Sequence, residues 1–215
     1  MMFKKILSLI MAAMMTFSLS ACGRTPAGSN STESRKPVSS EGDASSSVQS
    51  ETLETADGST LVVYFSWSGN TEEMASYIAE QVGGDLYEII PEVPYPEDYN
   101  ETGDIAKAER DENNRPTIAN LPDSIEQYDT IVVGYPIWWH TAPMIIGTFL
   151  ESYDLAGKEI YPFTQSASMD TEQFDNSIEF VRENADGADV HDGLFARPSD
   201  TAAIDAYLSE NGLSQ

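Results

Sequence analysis

The chain has 215 residues, 36 acidic and 11 basic, for a net charge of −25, enough for one domain of ordinary size plus extensions. So negative a chain lacks the basic face a nucleic-acid binder needs, and it repels polyanions and anionic membranes. Its single cysteine, Cys22, excludes an intrachain disulfide and a zinc site of the cysteine type.

Lys4 and Lys5 precede an apolar run from Ile6 to Leu19, then small residues and Cys22. Residues 1–21 read as a secretory signal peptide rather than a stable membrane span. The tail "LSAC" resembles the lipobox of bacterial lipoproteins. That resemblance implies cleavage before Cys22, a lipid on its sulfur, and attachment to the extracytoplasmic face of a membrane. A plain signal peptide with a chance cysteine is the alternative. Residues 22–59 are rich in Ser, Thr, Gly, Pro and Glu and nearly free of large apolar side chains, which predicts a disordered tether with a reach of roughly 30–40 Å.

A folded domain is expected over residues 60–215. "LVVYF" is a short apolar run suited to a strand covered on both faces, and it ends at the polar loop "SWSGNT". A helix should start near Thr71, with Glu72 and Glu73 at its positive end and Met74, Ala75, Ile78, Ala79 and Val82 on one apolar face. Gly83 and Gly84 stop it, and "DLYEII" is the second strand. A long acidic stretch follows, with one short helix expected from Asp104 to about Glu112.

"TIVVGY" is the third buried strand, followed by the loop "PIWWHTAP" and a helix from about Ala142 to Ser152. "KEIYPFTQS" is the fourth strand, residues 171–184 a helix, and "ADVHDGLFA" holds one short last strand. A helix from Asp200 to Asn211 closes the chain. Strands alternating with helices predict an α/β doubly wound parallel sheet of five strands, whose ligand sites lie beyond the carboxyl ends of the strands. Three strand-to-helix loops should converge there: "SWSGNT", "PIWWHTAP" and "TQSASMD".

The first loop gathers Ser66, Trp67, Ser68, Gly69, Asn70 and Thr71 at a helix entrance, where free N–H groups and a partial positive charge suit a phosphate. It has no lysine and is no nucleoside-triphosphate loop. A plain helix cap with a tight turn is the alternative. In the second loop, Trp138 and Trp139 between Pro136 and Pro143 offer an aromatic face. A planar conjugated ring bearing a phosphate-terminated chain would fit both loops.

These pieces, "YFSWSGNTEEMA", "PYPEDYNET" with "RDENNRP", "GYPIWWHTAPM" and "DGLFA", resemble the flavodoxin-like family, in particular its short bacterial lipoprotein form. The resemblance spans residues 61–213 and implies the strand order 2-1-3-4-5 with FMN at the switch point, the arrangement that flavodoxin itself exemplifies. By position it implies that Ser66, Ser68, Gly69, Asn70 and Thr71 hold the FMN phosphate. Pro136, Ile137, Trp138 and Trp139 would line the isoalloxazine, one tryptophan stacking on it while the other braces the loop. His140 is either a flavin or substrate contact or plain polar surface. The tyrosines of "PYPEDYNET" pack over the site or form a structural lid.

The third loop departs from the family, whose members commonly carry a glycine-rich turn resembling "TSGGSG". "TQSASMD" has no glycine, so the backbone approaches the ring less closely, though Thr164, Gln165, Ser166 and Ala167 can still offer hydrogen bonds to the ring edge. No acid–base pair or nucleophile stands out, so no catalytic side chains and no metal ligands are assigned. The expected function is FMN-dependent electron transfer or redox chemistry, with an acidic surround lowering the flavin's potential. The partner would be a redox protein or a small-molecule electron acceptor. One-electron transfer and reduction of quinones or nitro compounds stay open. The rival reading is a ligand-binding or interaction lipoprotein on the same fold that has lost flavin.

Overall fold

The computed structural model describes residues 60–167 and 171–215. The expected signal peptide, Cys22, the tether and the end of the third loop (168–170) lie outside the described residues. Five strands and five helices alternate: β1 (Thr60–Tyr64), α1 (Asn70–Val82), β2 (Asp85–Glu88), α2 (Tyr99–Glu112), β3 (Thr130–Pro136), α3 (Met144–Glu151), β4 (Glu159–Gln165), α4 (Thr171–Asn184), β5 (Asp189–Val190), then a further short strand, β6 (Leu194–Phe195), and α5 (Thr201–Glu210). The sheet is parallel throughout, in the order β2-β1-β3-β4-β5, with β6 also on β4. This is the doubly wound order expected from the sequence.

The two faces follow from the two-residue period of a strand. Leu61, Val63, Ile131 and Val133 face the core under α3 and α4, with Ile145, Ile146, Phe149 and Val181. Val62, Tyr64, Val132 and Phe163 face the other core, with Met74, Ile78, Ile204 and Leu208 from α1 and α5. Both faces of the central strands are therefore dry, and the continuous apolar runs are explained.

Two elements differ from expectation. Helix α2 starts at Tyr99 rather than Asp104, because the Asp98 carboxylate caps it, accepting from Asn100 N–H at 2.9 Å and Glu101 N–H at 3.0 Å. The single last strand is split into β5 and β6. Carbonyls of even-numbered β4 residues face this edge: Ile160 O accepts from His191 N–H and Thr164 O from Ala196 N–H. Pro162 lies between them and has no N–H to donate, so the ladder breaks at 191–193.

Gly134, in the middle of β3, is a close-approach position: a Cβ there would sit 2.0 Å from Phe163 Cζ. Phe163 is fully buried and has no room to withdraw. Gly134→Ala is expected to lower the unfolding free energy by about 1–3 kcal/mol through overpacking, measured by urea denaturation.

Candidate functional site

At the carboxyl ends of β1, β3 and β4 the structure holds a cleft of about 630 Å³, within the range of small-molecule sites. Trp67, Ser68, Asn70, Pro136, Ile137, Trp138, Trp139, His140, Gln165, Ser166 and Ala167 all line it, so the three loops do converge. Ser66, Gly69, Thr71 and Thr164 are not among the lining residues.

The first loop is shaped by local hydrogen bonds. Ser66 Oγ accepts from Gly69 N–H at 3.1 Å, and Gly69 turns the chain into α1 with φ of 86°. Asn70 Nδ2 donates to Ser68 Oγ at 3.4 Å. Helix α1 has no side-chain cap, so its entrance keeps donors and the positive dipole end for an outside acceptor. Thr71, in its first turn, is 1 % exposed, and its Oγ1 is buried with no hydrogen-bond partner. An unsatisfied buried hydroxyl costs about 1–3 kcal/mol, so this one calls for an explanation beyond the fold itself.

The paired tryptophans part where a tight turn begins. Trp138 and Thr141 exchange backbone hydrogen bonds, Trp138 N–H to Thr141 O at 2.9 Å and Thr141 N–H to Trp138 O at 3.1 Å. The two residues between them, Trp139 and His140, both take positive φ, 47° and 68°. This is the two-residue hairpin geometry that usually calls for Asn-Gly. Trp138 goes inward, edge-on to Phe65 at 5.3 Å and Tyr95 at 5.0 Å. Trp139 stays at the rim, 39 % exposed.

Helix α2 clamps that rim. Trp139 Nε1–H donates to Gly103 O at 2.5 Å, and Arg110 Nη1 donates to Trp139 O at 2.8 Å. Lys107 and Arg110 lie against the indole at 5.9 and 5.7 Å. Tyr99, Thr102, Gly103 and Asp104 also line the cleft. Of these, the sequence marks only Tyr99, among the tyrosines of "PYPEDYNET". The usable signal for the others was the Asp98 cap, which starts the helix early enough to reach the site.

The segment before α2 ties the first loop to that helix. Pro96 O accepts from Trp67 Nε1 at 2.9 Å and from Thr102 Oγ1 at 2.7 Å, tying the first loop to α2. Tyr95 OH donates to Glu109 Oε2 at 2.9 Å. Burial, then the Glu109 charge and hydrogen bond, push the Tyr95 phenol well above its ordinary range, so it serves as a neutral donor. Burial pushes the Glu109 carboxyl up, and the Tyr95 hydrogen bond opposes that.

Thr164 corrects an expectation. Its side chain is fully buried, and Oγ1 donates to Tyr135 O at 2.5 Å, tying β4 to β3. Its position inside β4 turns it into the core, and the polar side chains that β4 and the third loop bring to the cleft are Gln165 and Ser166 instead.

No curated protein matches the chain. Among solved structures, a Bacteroides eggerthii protein provisionally named as a flavoprotein is 35 % identical, with a TM-score of 0.63 over 70 % of this chain and 96 % of that one. A Bacteroides uniformis protein named in the same way is 34 % identical, with a TM-score of 0.64 over 71 % and 98 %. A flavoprotein from Lactobacillus acidophilus NCFM, solved in complex with FMN, is 30 % identical, with a TM-score of 0.56 over 69 % and 97 %. The flavodoxin family model matches residues 59–206, so with this sheet order and this cleft at its switch point the chain belongs to the flavodoxin family.

Proposed function

We propose that the cleft binds FMN and that the chain is a membrane-tethered redox protein. The observation that carries this reading is the partnerless buried hydroxyl of Thr71 at the uncapped entrance of α1, beside a cleft walled by two tryptophans. A phosphate monoester would satisfy that hydroxyl together with Ser68, Asn70 and the first-turn N–H groups. The FMN-bound Lactobacillus relative supports the same ligand.

Bound FMN supplies the electron chemistry. The protein's own residues position and enclose. Trp139, pinned to Gly103 and Arg110, presents the aromatic face at the rim. Trp138 braces the loop from inside against Phe65 and Tyr95. Gln165 and Ser166 offer polar contacts from the third loop, and His140 faces the cleft beside Trp139. Electrons would pass to a redox protein or a small-molecule acceptor.

Thr71→Val separates binding from folding. It should weaken FMN at least tenfold by fluorescence quenching, leave riboflavin nearly unchanged, and leave the flavin-free protein equally or more stable, because it removes an unsatisfied polar group. Equal loss for both flavins would sink the phosphate assignment.

The two tryptophans should part company. Trp138→Ala is expected to lower stability by about 2–4 kcal/mol, since it empties a partly buried aromatic contact. Trp139→Ala should lower FMN affinity by roughly tenfold, the worth of one aromatic stack, with a smaller change in melting temperature. Paired affinity and melting measurements on both variants check the assignment.

Tethering rests on "LSAC" and the tract that follows it. Cys22→Ser should move the protein from the membrane fraction to the soluble one, and continued membrane attachment would overturn the lipid anchor.

A further inference from the structure

The opposite end of the sheet carries a second constellation. β4 opens on Glu159 and β5 on Asp189, and the parallel register sets the two directly opposite each other. Like charges paired across strands destabilise a sheet unless something neutralises them. Among the described residues neither carboxylate pairs with a lysine or arginine. Neighbouring Lys158 donates instead to the carbonyls of Tyr128, Ile125 and Glu126, and Arg182 pairs with Asp192 and Glu179. The partner present is His191, whose Nε2 is hydrogen-bonded to Glu159 Oε2.

His191 lies two residues beyond Asp189, on the same side of the strand. Its ring is stacked on Tyr161, with centroids 4.2 Å apart and planes at 3°, which holds the imidazole in place. One ligand atom from each of Glu159, Asp189 and His191 lies within 4.8 Å of the others.

We propose that Glu159, Asp189 and His191 form a binding site for a first-row divalent cation, with zinc the ion that one imidazole and two carboxylates suit best. The cation does what the missing lysine or arginine would do, and it joins β4 to a strand of only two residues. Water fills the remaining positions on the exposed side. The site is structural, since β4 runs from Glu159 to Gln165 at the cleft, a span of about 20 Å. It does not depend on the flavin reading.

Zinc chloride titrated into the full-length chain tests this, with melting temperature and histidine ring resonances followed together. The sequence has two histidines, so a His191→Ala variant assigns the signals. Zinc should raise the melting temperature by a few degrees and shift the His191 signals. Glu159→Gln and Asp189→Asn should each weaken the response at least tenfold, since even outer-shell changes at metal sites cost ten- to a hundredfold. The site would be overturned by no response up to about 1 mM zinc, by a response that survives in Asp189→Asn and His191→Ala, or by shifts confined to His140.

Discussion

Everything at the cleft hangs on the parallel register of β1 against β3. Tyr64 pairs with Gly134, and Phe65 N–H reaches Gly134 O at 3.0 Å, so β1 ends beside Gly134 while β3 continues to Pro136. Their loops then leave side by side, and β4 joins them through Ile137 N–H to Gln165 O at 3.1 Å. A slip of one residue would move Leu61 and Val63 to the opposite face and dismantle both cores. Gly134 helps to hold this arrangement by giving the Phe163 ring the space a methyl group would fill.

On that frame, the turn at Trp139 and His140 decides what the tryptophans can do. Adjacent strand residues point to opposite faces, so one buried surface cannot take both rings. The chain resolves this by reversing between them, at the cost of two non-glycine residues in the left-handed region. Helix α2 compensates with the Gly103 and Arg110 hydrogen bonds and with the cations over the Trp139 ring. Gly103 is a poor residue inside a helix, yet its carbonyl is the acceptor that Trp139 uses. Local strain on one element is thus held by contacts from another.

Much of this was legible in the chain. The buried strands are marked by unbroken apolar runs, and the switch-point loops by polar residues directly after them. Elements set by a single distant atom were not legible. Pro162 splits the last strand, but only once its neighbour on the edge is known. Thr164 sits in a polar-looking loop motif, and its burial depends on where β4 ends. "WWHT" lacks the Asn and Gly that announce a two-residue turn, because α2 rather than turn propensity stabilises it. Glu159 and His191 are 32 residues apart, and only the β4–β5 register brings them together.

Charge connects the two ends of the sheet. The domain is poor in basic residues, and most of those it has are engaged in structure. Arg115 binds Glu151, Asn113 and Asn184, Lys158 sits among carbonyls, and Lys107 and Arg110 share Asp111 beside Trp139. Among the described residues, no lysine or arginine lines the cleft. An anion bound there would meet a helix entrance and neutral hydroxyls, which act at contact, whereas the protein's distant negative charges are screened beyond about 8 Å. Among the described residues, the same scarcity leaves Glu159 and Asp189 facing each other without a lysine or arginine partner. At one end the fold offers a helix entrance without a side-chain cap. At the other it gathers negative charge of its own, with a histidine rather than an arginine beside it, and that is the condition under which a metal ion can take the place of a side chain.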